Sequence, residues 1–330
     1  MASNVLVTGG GGFIGSHLCE ALVSRGDRVR ALVHYNGRGS AGHLDSVAPE
    51  IRNEIEVIGG DIRDPYALRD VVRDREVVFH LAALIAIPYS YVAPHSFFDT
   101  NTLGTVHVLQ AARDEGVARL VHVSTSECYG TAQTIPISED HPLVAQSPYA
   151  ASKIGADQAA GSFCRAFDVP VVTVRPFNTF GPRQSARAII PTIITQALTG
   201  GTVRLGALDP TRDLTFVTDT VAGLIAASQA PGVIGETINL GTGNQISIGD
   251  LATRIFELLE QYDVRAHVEH DAVRVRPANS EVERLCSDPS KAKRLLGWEA
   301  EVSLTDGLFA TIAAIRDDLD SYPSVGSYQR

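Results

Sequence analysis

The chain has 330 residues, 44% of them hydrophobic and 20% charged, and its formal net charge is -10. That length holds one large domain or two medium ones, and the acidic balance disfavours a nucleic-acid partner while leaving room for a local basic pocket that binds an anion. Cys19, Cys128, Cys164 and Cys286 stand apart without a CxxC pair, and the ten histidines show no metal-ligand spacing, so neither a disulfide framework nor a metal site is expected.

Asn4 to Thr8 is a short β-branched run that predicts a first strand, and glycine-rich sequence follows it at once. His17 to Arg25 then reads as a helix closed by Gly26, with strands at Val29 to Val33 and Ile55 to Ile58. A helix at Tyr66 to Arg73 and a strand at Val77 to Leu81 continue the alternation. Thr102 to Glu115 and Ser152 to Phe167 predict longer helices, each followed by a strand, Arg119 to Ser124 and Val171 to Arg175. Strands and helices alternating at this spacing imply a parallel sheet covered on both faces. After Arg175 the regularity weakens. Helices are expected at Ile189 to Leu198, Asp219 to Ser228, Leu251 to Leu259 and Pro289 to Leu296, with strands at Thr202 to Leu205 and Glu236 to Leu240. The class is therefore α/β, a Rossmann-type doubly wound parallel sheet with a smaller C-terminal α/β lobe. No basic leader with an apolar stretch opens the chain, and no run of about 18 apolar residues occurs. The expectation is a cytoplasmic protein without a membrane partner.

Gly9, Gly12 and Gly15 form GxxGxxG between the first strand and first helix. The first glycine permits the turn, the second admits a pyrophosphate close to the backbone, and the third lets helix and strand pack. Phe13 and Ile14 lie inside this turn and Leu81, Ala82 and Ala83 follow the fourth strand, so all are candidate dinucleotide contacts. NAD usually meets an acidic residue at the end of the second strand. Here His34, Tyr35, Asn36 and Arg38 follow Val33 instead. Arg38 could meet the extra phosphate of NADP or simply face solvent, so NAD against NADP stays open. Asp61, with Ile62 beside it, could receive the adenine amino group or cap the turn Asp61-Ile-Arg-Asp64.

Tyr149 and Lys153 are four residues apart, the spacing of one helical face. An ammonium beside a phenol favours the phenolate, so Tyr149 is a candidate base and Lys153 a candidate holder of the nicotinamide ribose. Ser124 and Thr125 end the intervening strand. His80 and Trp298 read as structural.

Taken together, these motifs resemble the extended short-chain dehydrogenases, the family of nucleotide-sugar epimerases and dehydratases. The resemblance runs through Thr8 to Gly15, Asp61 to Asp64, His80 to Ala83, Asn101-Thr-Leu-Gly-Thr105, Tyr149 to Lys153, Arg175-Pro-Phe-Asn178, Gly181-Pro-Arg183, Arg212-Asp213 and Asp219. It implies a bound dinucleotide regenerated in each cycle and a nucleotide-diphosphate sugar in a cleft between lobes. It also implies a homodimer formed through helices near residues 101 to 115 and 149 to 167. Residues 1–176 would bind the dinucleotide, with segments near 214–240 returning to that domain, and 177–330 would mainly bind the sugar nucleotide. Ile87, Asn178, Arg183, Arg187, Arg212 and Arg276 are candidate substrate contacts.

Within the family, Ser124-Thr-Ser-Glu-Cys-Tyr-Gly130 separates the branches. Epimerases usually carry small or neutral residues where Glu127 stands, and 4,6-dehydratases carry a glutamate. Thr125, Ser126 and Glu127 resemble the order in GDP-mannose 4,6-dehydratases. Ala83 to Ser90, Gln184-Ser-Ala-Arg187 and Ile190 to Gln196 resemble bacterial 4,6-dehydratases of N-acetylhexosamine nucleotides of the legionaminic-acid type. The dTDP-glucose dehydratases differ, with an aspartate where this chain has Ser126, so Glu127 or a water on Ser126 would protonate the departing hydroxyl. The expected activity is a 4,6-dehydratase of UDP- or GDP-N-acetylglucosamine. A UDP-glucuronate decarboxylase, a 4-epimerase and a non-catalytic regulatory or scaffold subunit are the competing readings.

Overall fold

The computed structural model describes residues 2–274 and 277–322. Its centre is a seven-stranded sheet made of β1 (Asn4–Thr8), β2 (Arg28–His34), β3 (Ile55–Gly60), β4 (Val77–His80), β5 (Arg119–Val123), β6 (Val171–Pro176) and the edge strand Thr237–Leu240. The order is β3-β2-β1-β4-β5-β6 followed by Thr237–Leu240, and every neighbouring pair is parallel. The chain starts in the middle, winds out to β3 and crosses back to β4. The order thus reverses between β1 and β4, and ligands of open parallel sheets bind beyond the C-terminal ends of the strands at such a reversal.

Alternation along the strands supplies both faces of the core. Val5 and Val7 join Leu18 and Leu22 of the helix Phe13–Ser24 and Val221 and Leu224 of the helix Val217–Gln229. Leu6 joins Leu68, Val108, Leu109 and Ala160 from the helices Pro65–Val72, Gly104–Asp114 and Pro148–Phe167 on the other face. The first cluster continues into the C-terminal helices Ile189–Gly200, Ile248–Glu260 and Leu304–Asp317 through Ile193, Leu251 and Ile312. Lobe and sheet therefore share one apolar core.

Buried polar ties fix the lobe in register. Asp219 Oδ2 accepts the Val302 N–H at 3.0 Å, and Trp298 Nε1 donates to the Asp219 carbonyl at 2.9 Å, so Trp298 packs structurally as expected. Asp213, fully buried, accepts from Thr242, Gly243 and Ser287. Burial raises its pKa, and those hydrogen bonds oppose the shift.

Candidate active site

The turn after β1 is shaped by close backbone approach. Gly9 has φ +73°, and a Cβ there would lie 2.8 Å from the Ala82 nitrogen. A Cβ on Gly15 would lie 2.2 Å from the Gly9 carbonyl oxygen, so no side chain fits at that position either. At Gly12 only the Gly9 carbonyl oxygen comes within 4 Å of a Cβ position, which leaves the other side open. Gly12 is also the N-cap of the helix Phe13–Ser24 and offers no side-chain cap. The first-turn N–H groups, including those of Phe13 and Ile14, have no intrahelical acceptor and concentrate partial positive charge there. An open glycine cradle at an uncapped helix start fits a dinucleotide pyrophosphate. Thr8 Oγ1 accepts the Ala82 N–H at 3.2 Å and bonds His80 Nδ1 at 2.8 Å, while His80 Nε2 bonds Thr105 Oγ1 at 2.9 Å. His80 therefore braces this turn against the helix layer, and burial holds its pKa well below the usual value.

The loop after β2 closes over the same turn, with the His43 N–H bonded to the Gly11 carbonyl at 2.9 Å. Arg38 is exposed on that loop, its N–H held by Asn36 Oδ1 at 3.1 Å. Asp61 accepts the Arg63 N–H at 2.9 Å and pairs with the Arg63 side chain, so it caps its own turn. Those bonds lower its pKa. Ile62 is buried under Gly104.

Ser147 caps the helix Pro148–Phe167 and Pro148 takes its first position, which draws Tyr149 into the first turn. Tyr149 and Lys153 then share a face, both buried against the end of β5. Lys153 Nζ donates to the Val123 carbonyl at 2.8 Å. The Thr125 side chain lies near the Tyr149 phenol and favours its ionised form. Thr125 caps the single turn Ser126–Tyr129 by accepting the Glu127 N–H at 3.2 Å. Glu127 is 9% exposed in that turn, and its charge acts on Tyr149. Thr125, Ser126, Glu127, Tyr149 and Lys153 thus gather at the C-terminal end of the sheet.

The electrostatics differ from the expectation that Lys153 draws the Tyr149 phenol towards ionisation. Burial raises the phenol's pKa, the nearby Thr125 opposes that shift, and Glu127 and Asp157 reinforce it. Lys153 spends a hydrogen bond on Val123, and burial lowers its own pKa. In the free protein Tyr149 is held as the neutral phenol.

A buried network beneath the loop escaped the sequence reading. Asp157 accepts from His122 Nε2 at 3.0 Å, Arg175 Nε at 3.0 Å and Arg175 Nη2 at 2.9 Å. Arg175 Nη1 donates to the Tyr129 hydroxyl at 3.0 Å, and that hydroxyl donates to Asn239 Oδ1 at 2.7 Å. One signal was present: Asp157 lies four residues beyond Lys153, on the same helical face.

The candidate substrate residues divide. Ile87 is buried and packs with Phe97 and Tyr149. Asn178 leaves a buried Oδ1 without a partner, an acceptor available to a ligand donor. Arg183 is committed to the helix Phe13–Ser24 through Ser16 Oγ at 3.0 Å and Glu20, the structural salt bridge rather than an open anion contact. Arg212 is buried and pairs with Glu281 at 3.2 Å. Arg187 is exposed, and Arg276 lies outside the described residues.

Comparison with known proteins decides the family. The model of the GDP-mannose 4,6 dehydratase family matches residues 6–311. The chain belongs to that family. A low-salt glycan biosynthesis protein of Haloferax volcanii is 34% identical over 94% of this chain and 97% of its own length. The dTDP-glucose 4,6-dehydratase of Streptomyces venezuelae, solved with NAD bound, superposes with a TM-score of 0.87 at 32% identity, covering 97% of this chain and 98% of that one. A UDP-glucuronic acid 4-epimerase of Bacillus cereus, also solved with NAD, gives a TM-score of 0.85 at 31% identity over 95% and 99% of the two chains. Further relatives include a UDP-glucose 4-epimerase, a dTDP-glucose 4,6-dehydratase and a UDP-N-acetyl-alpha-D-glucosaminuronate decarboxylase. The family work is chemistry on a nucleotide-linked sugar.

Proposed function

We propose that the protein is a nucleotide-sugar 4,6-dehydratase that works with a bound NAD or NADP on UDP- or GDP-N-acetylglucosamine. The observation that carries this is Glu127, a buried carboxylate in the turn beside Tyr149. An epimerase needs a base only for the hydroxyl on carbon 4; elimination needs a second one, for carbon 5. Seated on Gly9, Gly12, Phe13, Ile14 and Gly15, with Arg38, Asp61, Ile62 and Leu81 to Ala83 alongside, the dinucleotide would take a hydride from carbon 4 and return it at carbon 6.

The chain's own residues do the proton work. Tyr149 takes the proton of the carbon 4 hydroxyl, with Thr125 beside it and Lys153 holding the ribose. The resulting ketone acidifies carbon 5, and Glu127 removes that proton. The carboxylic acid so formed passes it to the hydroxyl on carbon 6, which leaves as water, with Ser126 able to hold a relay water. A solvent proton finally enters at carbon 5. Ile87, Asn178, Arg187, Arg212 and Arg276 are assigned to the sugar nucleotide, in a lobe drawn mainly from 177–330. The dinucleotide domain is 1–176, with 214–240 returned to it.

Incubation with UDP- or GDP-N-acetylglucosamine in deuterated water, read by NMR, tests the reading. The expected product is a 4-keto-6-deoxy sugar carrying deuterium at carbon 5, with no net reduced cofactor. Recovery of the 4-epimer alone, or turnover of UDP-glucuronate with loss of its carboxyl group instead, overturns it.

We also infer a homodimer through the helical layer of residues 98–114 and 148–167. Phe98, Leu103 and Phe167 are 42%, 50% and 49% exposed there, apolar side chains that a second copy would cover. Light scattering should give twice the chain mass of 35.2 kDa, and a monomer at micromolar concentration refutes the dimer. No described helix is long and apolar enough to cross a membrane.

A further inference from the structure

We propose that Asp157 is a positioning residue for the Tyr149–Lys153 pair: from one helical turn beyond Lys153 it clamps the loop that carries Thr125 and Glu127, and it supplies negative charge to the buried site. The inference rests on the proposed role of Tyr149 as base, but not on which sugar product forms.

The clamp is visible in the contacts. His122 lies on β5, two residues before Ser124, and Arg175 lies on β6; both donate to the Asp157 carboxylate. Cys128 Sγ sits 4.0 Å from Asp157 Oδ2 and 3.6 Å from Ser124 Oγ. Arg175 then reaches Tyr129 by a hydrogen bond and by its guanidinium carbon lying 5.0 Å from the ring centroid. Cys128 and Tyr129 directly follow Glu127 in the same turn. Asp157 therefore grips the turn through Cys128 and Tyr129, which follow Glu127, and a loosened grip would misplace Thr125 and Glu127 relative to Tyr149.

The charge argument follows from what faces Lys153. Asp157 approaches from its own helix, His80 from β4, His122 from β5 and Cys128 from the loop. Burial lowers both histidines, and each is further opposed by Lys153, so they stand neutral. Burial also lowers Lys153, and Asp157 counteracts this. Asp157 itself stays ionised: despite its burial, its partners hold its pKa down to about 2. Without that charge Lys153 would give up its proton more readily. The Tyr149 phenolate, no longer repelled, would form at lower pH.

The test is the pH dependence of turnover in wild type, Asp157→Asn and Asp157→Glu. Asp157→Asn should lose at least about 10-fold in kcat, and both limbs of its pH profile should move down by about one unit or more. Asp157→Glu should restore the limbs even where kcat stays low. Unmoved limbs in D157N, or a shift in D157E equal to that in D157N, overturn the proposal. Should D157N not fold, His122→Gln joins D157E. Both keep the charge and should keep the limbs while lowering kcat, and displaced limbs in either overturn it. If the wild type makes only a 4-epimer, the dehydratase reading fails and the same profiles are read on epimerisation.

Discussion

Tyr149→Phe should lower turnover by about 100-fold or more while leaving the protein folded and able to bind its dinucleotide. The ring belongs to a small cluster with Ile87 and Phe97, and it meets the Phe97 ring edge-on at 6.3 Å. Phenylalanine keeps those contacts. What it removes is the hydroxyl, and even a lost hydrogen bond there would cost only about 1 kcal/mol of stability. A 100-fold slower reaction corresponds to about 2.7 kcal/mol of barrier, so a stability change of that size cannot mimic it. Circular dichroism and dinucleotide retention establish that the variant is intact, and single-turnover kinetics read the oxidation at carbon 4. A folded Y149F protein with near-normal turnover would falsify the assignment of the base.

That prediction was available from the spacing of Tyr149 and Lys153, and much of the fold was equally legible. β1, β2, β4, β5 and β6 announce themselves as β-branched, mostly buried runs bounded by turns, because parallel strands covered on both faces are largely apolar, while β3 at the sheet edge is half-buried. Helix starts were less clear. The helix Pro148–Phe167 begins four residues before the expected Ser152, because Ser147 caps it and Pro148 fits its first position. The helix Leu304–Asp317 went unread although Ser303 and Asp306 form a capping pair. The helix Ile87–Val92 is too short to show a period. The short strands Asn178–Phe180 and Leu214–Phe216 pair only with each other, across a sequence gap that local patterns do not span.

The site was legible where its chemistry is local and hidden where it depends on strand order. GxxGxxG and Thr125 to Glu127 are contiguous motifs. The engagement of Asp157 with His122 and Arg175 requires β5 and β6 to lie side by side. Arg183 finds Glu20 across 163 positions of sequence. The surroundings of Tyr149 are hidden for a related reason. The spacing reports that Lys153 is near, but not that the whole pair is buried or that the ammonium is bonded to a backbone carbonyl.

Glu127→Gln should separate the two halves of the reaction. The turn Ser126–Tyr129 is held by Thr125 through the Glu127 N–H and by Asp157 beneath it, so the amide will sit where the carboxylate sat. Glutamine is nearly the same size and still hydrogen-bonds, but it cannot take a proton from carbon 5. Tyr149, Thr125 and Lys153 are untouched, so the first oxidation should proceed and a transient reduced-nicotinamide absorbance should build up on mixing with substrate. Dehydration should fall by about 100-fold or more, and the ketone at carbon 4 should mostly be reduced back again. In deuterated water the recovered sugar should carry little deuterium at carbon 5, because exchange there requires the missing base. Full formation of the 4-keto-6-deoxy product by E127Q would remove Glu127 from the mechanism and, with it, the reason to place this chain among the dehydratases rather than the epimerases. Loss of the transient absorbance along with the product would instead assign Glu127 to the first step, beside Tyr149.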